Sequence, residues 1–249
     1  MKNLGAIILA AGKGKRMHSK NLNKVVLPLG DKPMILHEIE FLKNFSVDPI
    51  VVVVGFAKNS VEEVLKGTQV YFAVQKKRLG TAHAVSQGMT VLPSSVENVL
   101  VINGDDSFFY RKENAALIEK LIEKHFSANA SMTFLTVQLN DNFGSGRIIR
   151  DSERNVLEIV EEKDATEIQR SIKEVNVGCY VFKVSFLRKY LKKIQKSKTT
   201  GEYYLVSLVA LGVQNKEKIE TVEAGPVTWR GINTEEELEK AKQLFSQIT

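Results

Sequence analysis

The sequence predicts a three-layer α/β/α protein with a mostly parallel central sheet and a small β-rich, lid-like subdomain laid against it. Two observations carry that prediction. Val51–Val54 is apolar at every position, the mark of a strand buried on both faces beneath helices. Apolar runs and helix-periodic stretches then alternate through residues 1–137, which is the pattern of a doubly wound sheet. From about residue 140 the texture shifts to loop residues and short strands. Residues 138–249 are therefore expected to complete one domain, 1–249, rather than form an independent unit.

The elements follow in order. Ala6–Leu9 reads as a buried strand, and Pro33 introduces the stripe Ile35, Ile39 and Leu42, the i, i+4, i+7 spacing of a packed helix. After Val51–Val54, Ser60-Val61-Glu62-Glu63 reads as a capping box opening a helix. Val70–Val74 is a strand, Thr81–Met89 a helix, Val99–Ile102 a strand, Asn114–Phe126 a helix and Met132–Val137 a strand. Beyond it, Arg147–Arg150 and Val156–Glu161 suggest a hairpin, and Val175–Phe182 a further strand. Phe186–Ile194 carries a helical stripe, Leu205–Leu211 continues as helix and Ile219–Val222 as strand, and Thr234-Glu235-Glu236-Glu237 caps a last helix.

Composition excludes several classes. The 249 residues are 43% hydrophobic and 26% charged, which is ordinary for a globular protein. The net charge of +6 suits an anionic ligand, but the lysines are scattered without the interleaved aromatics of a single-strand groove, so nucleic acid is not an expected partner. The lone Cys179 lies in an apolar run and reads as a buried strand thiol, with no internal disulfide or multi-cysteine zinc site to join. No run reaches transmembrane length and no cleavable leader is evident. The expectation is a soluble cytoplasmic protein without membrane contact. His37 and His83 are expected to pack within helices, and His18 and His125 to lie at the surface.

The first strand empties into Leu9-Ala10-Ala11-Gly12-Lys13-Gly14-Lys15-Arg16-Met17. Glycines let backbone N–H groups approach an anion, and Lys and Arg neutralise it, so the loop reads as a phosphate cradle or, alternatively, a solvated basic turn. It is no dinucleotide fingerprint, because Met17 stands where a third glycine is needed. No frame supplies Gly-Lys-Ser/Thr for a Walker A loop. In such sheets ligands sit beyond the carboxyl ends of the strands. That rule gathers Gly12–Arg16, Gly55, Gln75 and Asp105 at one rim. Asp105, ending a strand after Gly104, suits Mg²⁺, which takes a few carboxylate oxygens with phosphate and water; a turn cap is the alternative. Gln75 offers an amide to a nucleobase edge.

At these residues a resemblance becomes specific. Leu9–Met17, Gln75, Leu79–Ala84, Gly104-Asp105, Gly146-Arg147-Ile148, Val160–Ala165, Glu174–Gly178, Gly201–Tyr204 and Gly231-Ile232-Asn233 together resemble the sugar-nucleotide pyrophosphorylases over nearly the whole chain. The nearest branch is the uridylyltransferase domain of the bacterial bifunctional N-acetylglucosamine-1-phosphate uridylyltransferases. The resemblance implies a Rossmann-like sheet of the nucleotide-diphospho-sugar transferase type. It implies Arg16 on the leaving pyrophosphate and Lys24 on the α-phosphate as catalytic residues. Leu9, Ala10, Ala11, Gly12 and Gly14 would hold the nucleotide, and Gln75, Gly80 and Thr81 the uracil. Asn103, Gly104 and Asp105 would face ribose and metal, with Asp105 and Asn233 binding Mg²⁺. Gly146, Glu161 and Asn176 would grip the acetamido sugar. The partners implied are a nucleoside triphosphate and a sugar 1-phosphate, with homo-oligomer formation left open.

The chain departs from the family at named places. Asn23 stands where the family has a proline, with one extra residue before Lys24; Asn103 replaces a common aromatic; Asp106-Ser107 replaces a small residue and proline; and Val206-Ser207 replaces Thr-Asp. No hexapeptide repeat occurs, so acetyl transfer is not expected. Another triphosphate or sugar phosphate on the same fold, or a nucleotide-sugar-binding regulator without turnover, are the alternatives. A glycosyltransferase is disfavoured by the missing Asp-x-Asp motif.

Overall fold

The computed structural model describes residues 3–14, 17, 21–106, 113–140, 142, 144–225 and 231–246. Its centre is a nine-stranded mixed sheet. The strands are β1 (Leu4–Ala10), β4 (Ile50–Val54), β5 (Val70–Val74), β6 (Asn98–Asn103), β7 (Met132–Gln138), β8 (Arg147–Arg150), β9 (Val156–Val160), β10 (Glu174–Lys183) and β11 (Ile219–Glu223). A separate two-residue pair, β2 (Pro28–Leu29) and β3 (Lys32–Pro33), forms a small hairpin. The helices are α1 (Met34–Lys43), α2 (Lys58–Val64), α3 (Thr81–Met89), α4 (Glu113–Ser127), α5 (Glu167–Arg170), α6 (Val184–Tyr190), α7 (Ser207–Gln214) and α8 (Glu235–Ser246).

The main strand order is β11-β7-β10-β6-β1-β4-β5. Within it β1 pairs in parallel with both β4 and β6, while β10 runs antiparallel between β6 and β7. The chain leaves β1 for β4 and β5 on one side and later returns to lay β6 on the other. The ends of β1 and β6 therefore flank the topological switch point, where open α/β sheets bind ligands.

Side chains alternate across each strand, so β1 feeds two cores. Ala6, Ile8 and Ala10 join Ile35, Ile39, Val61 and Leu121 under α1, α2 and α4. Ile7 joins Val51, Val53, Val85, Leu187 and Leu208 under α3, α6 and α7. This accounts for the continuous apolar runs. A third cluster of Met17, Leu29, Met34, Ile232 and Leu238 seals α8 onto the β2–β3 hairpin. The expected thiol, Cys179, is buried in β10. Among the described residues, no helix is long and apolar enough to cross a membrane.

Three local expectations are corrected, and one short helix is added. The Ser60–Glu63 capping box does not form: α2 opens earlier, after Ala57 in a left-handed conformation. Ser60 Oγ donates to the Ala57 carbonyl at 2.7 Å and accepts from the Asn23 amide at 3.1 Å. The helix expected from Leu205 opens at Ser207, because Tyr203–Leu205 is bonded to the start of α3. His125 is buried rather than at the surface, bridging Thr133 Oγ1 at 3.0 Å and Asn98 Oδ1 at 3.1 Å. The short α5, capped by Thr166 and Gln169, was not foreseen. His18 lies outside the described residues.

Candidate active site

The switch point opens into two adjoining cavities, of about 510 and 320 Å³, which share Leu9, Thr81, Asn103 and Asp105 as a common wall. The larger lobe begins where β1 ends: Leu9, Ala10, Ala11 and Gly12 line it, together with Lys24, Gln75 and Gly80. Gly104 does not line either lobe. Its amide donates to the Leu9 carbonyl at 3.0 Å, locking the end of β6 against the end of β1. Gly14, also outside both linings, has φ +56° and lies against the aliphatic stem of Lys24.

Lys24 opens a 3₁₀ turn, Lys24–Val26, whose N-cap is Asn23. Asn23 is 1% exposed and ties three segments together. Its Nδ2 donates to the carbonyls of Ala10 at 2.8 Å and Phe56 at 2.9 Å, and its Oδ1 accepts from the Val25 amide at 3.2 Å. A proline at this position could make none of these side-chain bonds. Lys24 Nζ then meets Asp105 Oδ2 and, at 2.8 Å, Asn233 Oδ1. Asn233 is delivered by a genuine capping box at the start of α8. Thr234 Oγ1 accepts from the Glu237 amide at 3.2 Å, and Glu237 Oε2 accepts from the amides of Thr234 at 3.1 Å and Asn233 at 2.7 Å.

Beneath this rim lies Glu38, fully buried on α1, whose Oε1 accepts from the Asp106 amide at 3.2 Å. Burial first, and then the neighbouring Asp106 and Asp105, hold its carboxyl well above the usual carboxylate range. The apolar stripe of α1 concealed it. Its place on the Ile35–Leu42 face was the available signal.

The smaller lobe is lined by Gly146, Glu161, Asn176, Gly178 and Tyr180. In β10 the register slips between Asn176 and Tyr180. Gly178 sits there at φ +78°, and a Cβ would overlap the Asn103 amide. That bulge turns Asn176 toward the lobe, where its Nδ2 donates to Tyr180 Oη at 2.6 Å. Glu161 is enclosed, and burial, with Asp164 and Glu202 adding repulsion against the pull of Arg147, raises its carboxyl to about 7. Arg147 is buried and paired to Glu162 at 2.7 Å, and the same Glu162 accepts from the Gly144 amide at 3.0 Å, which shapes the wall at 144–146.

Of the residues expected at the site, Leu9, Ala10, Ala11, Gly12, Lys24, Gln75, Gly80, Thr81, Asn103, Asp105, Gly146, Glu161, Asn176 and Asn233 all line one lobe or the other. Arg16 lies outside the described residues. Sequence reasoning passed over Glu38, Tyr180 and Glu237 as parts of the site; it noted Asn23 as a departure before Lys24 and Gly178 within the Glu174–Gly178 motif, but gave neither a role.

A doubly wound α/β protein with a divided cleft at its switch point, and a lysine, aspartate and asparagine meeting there, is the class that fold and site define. The chain belongs to the nucleotidyl transferase family, whose description matches residues 5–246. It is 44% identical over 239 residues to the bifunctional protein GlmU of Caldicellulosiruptor saccharolyticus, covering 95% of this chain and 50% of that protein. It is 35% identical over 241 residues to the bifunctional protein GlmU of Desulfotalea psychrophila, covering 96% of this chain and 70% of that one. The chain thus spans about half the length of the first of these relatives and more of the second. A solved structure from Bacillus anthracis, described as a glucose-1-phosphate thymidylyltransferase in complex with sucrose, shares the fold, with a TM-score of 0.80 at 22% identity over 99% of this chain and 96% of that one.

Proposed function

We propose that the protein condenses UTP with a sugar 1-phosphate, N-acetylglucosamine 1-phosphate in the first place, to UDP-sugar and pyrophosphate. The observation that carries this reading is the pair of lobes meeting at Asp105, beside the Lys24 ammonium. Two substrates can lie on either side of one charged joint. The resemblance to bacterial uridylyltransferases supplies the base and the sugar, and membership of the nucleotidyl transferase family supports the reaction class. Residues 1–137 would furnish the nucleotide half and 138–249 the sugar half of one catalytic unit.

In this reading a sugar-phosphate oxygen attacks the α-phosphorus of UTP in line. The P–O bond to the β-phosphate breaks, and its electron pair leaves with pyrophosphate. The attacking phosphate is already anionic, so no general base is required; catalysis is positioning and charge neutralisation. Lys24 would contact the α-phosphate and Arg16 the leaving group. Glu161 and Asn176 would orient the sugar. Asp105 and Asn233 direct two hard oxygens at one cation, Lys24, which is a donor set that fits Mg²⁺. Among the described residues no cluster of three carboxylate, histidine or cysteine side chains gathers for a metal, so phosphate and water would complete the shell. When bound, Mg²⁺ supplies neutralisation of phosphate charge.

The experiment is pyrophosphate release measured across a panel of nucleoside triphosphates and sugar 1-phosphates with Mg²⁺. UTP with N-acetylglucosamine 1-phosphate is expected to turn over fastest. Turnover with a different pair would replace the specificity, and no turnover with any pair would leave a binding protein.

A further inference from the structure

Gln75 lies just beyond β5 on the wall of the larger lobe and is 4% exposed. Its Nε2 is 3.1 Å from the Gly80 carbonyl oxygen. A carbonyl can only accept, so the amide must turn its NH₂ that way. The same nitrogen is 2.9 Å from His83 Nδ1. Since the nitrogen donates, Nδ1 accepts and a neutral His83 carries its proton on Nε2. Both amide hydrogens of Gln75 are thereby committed. Among the described residues, none donates to its Oε1.

The two acceptors come from one rigid place. Gly80 immediately precedes α3, and His83 lies in the first turn of that helix. A Cβ on Gly80 would overlap the Tyr203 backbone, and the Ala82 amide donates to the Tyr203 carbonyl at 3.0 Å. The Leu205 amide donates to Thr81 Oγ1 at 2.8 Å. The start of α3 is therefore clamped by the Tyr203–Leu205 segment, and Gln75 is held against a fixed template.

We propose that His83 is a positioning residue for base selection: by taking the second amide hydrogen of Gln75, it leaves that side chain able only to accept. The lobe then favours a base whose ring edge donates an N–H, as uracil and thymine do at N3, over cytosine, whose N3 accepts. This rests on the reading of the larger lobe as a nucleotide site. Leaving a buried polar group opposite a like partner is what gives hydrogen-bonding sites their discrimination.

The test is calorimetric titration of UTP, dTTP and CTP, with Mg²⁺, into the full chain and into His83→Ala and His83→Asn. The asparagine oxygen can stand where Nδ1 accepts, whereas alanine removes the acceptor and frees an amide hydrogen. The wild type is expected to bind UTP and dTTP more tightly than CTP. His83→Ala should lower the UTP-to-CTP affinity ratio by roughly tenfold, and His83→Asn should restore most of it. A ratio of affinities is insensitive to partial unfolding, which melting curves would register separately. Binding of no nucleotide by the wild type would overturn the functional reading itself. Wild-type selectivity preserved in His83→Ala, or lost equally in both variants, would overturn the inference about His83 and leave that reading intact.

Discussion

Lys24 and Asn233, 209 residues apart in the chain, meet at 2.8 Å between Nζ and Oδ1. Asp105 binds the same ammonium, and the Lys24 and Asp105 side chains are only 12% and 14% exposed. Charges so enclosed are weakly screened, and removing one partner leaves the other uncompensated. Lys24→Ala is therefore expected to depress kcat by about 10²-fold or more, as loss of a transition-state charge contact does, with a smaller effect on KM. Asp105→Asn should act in the same direction. Pyrophosphate-release kinetics at saturating UTP and sugar phosphate check both, and unchanged kcat in the pair would remove Lys24 and Asp105 from the mechanism.

Asn23 gives a prediction that separates backbone shape from hydrogen bonding. Its φ of −74° is one that proline can adopt, but proline can make neither its side-chain bonds to Ala10, Phe56 and Val25 nor its amide bond to Ser60 Oγ. Asn23→Pro and Asn23→Ala should both lose about 2–3 kcal/mol of stability in urea melts, since net bonds of about 1 kcal/mol are removed and buried carbonyls orphaned. A proline variant as stable as the wild type would show the clamp to be dispensable.

Glu161 and His125 should leave opposite signatures on stability against pH. Glu161 rises from 4.5 to about 7 on folding, so the folded state binds the extra proton and stability falls as pH rises through that window. His125 drops from 6.5 to about 4, first by burial and then by Lys183, so the unfolded state binds the extra proton and stability rises with pH between those values. Between pH 4.5 and 6.5 the two slopes oppose. Glu161→Gln should expose a rise of about 2 kcal/mol across that interval relative to the wild-type profile, and His125→Gln a comparable fall. Denaturant melts at stepped pH decide it; parallel profiles for all three proteins would refute both assignments.

Two glycines of the same lobe should respond differently to alanine. Gly80 has φ +109° and its absent Cβ would run into the Tyr203 backbone, whereas Gly12 has no atom within 4 Å of that position. Gly80→Ala is expected to cost about 2 kcal/mol or more and to weaken nucleotide binding, because neither strained φ nor backbone overlap relaxes easily. Gly12→Ala should stay within about 0.5 kcal/mol of wild type. Thermal melts of the two variants side by side provide the comparison.

By itself the sequence determined what depends on local pattern. Strand and helix alternation, the burial of Val51–Val54 and the ending of β1 and β6 in Leu9–Gly12 and Asn103–Asp105 all follow from periodicity and strand polarity. So does the Thr234–Glu237 cap, because its partners lie within one turn. The tertiary structure decided which distant groups became neighbours. Asn233 reaches Lys24 only because α8 packs on the β2–β3 hairpin. Glu38 and His125 lie on the apolar stripes of α1 and α4, so periodicity places them on covered faces, but their partners there, the Asp106 amide for Glu38 and Thr133 and Asn98 for His125, come from distant elements. Ser60 left its expected capping role for the Asn23 amide, 37 residues away in the chain. Periodicity reports which face of an element leaves water, but the order of strands chooses what that face meets.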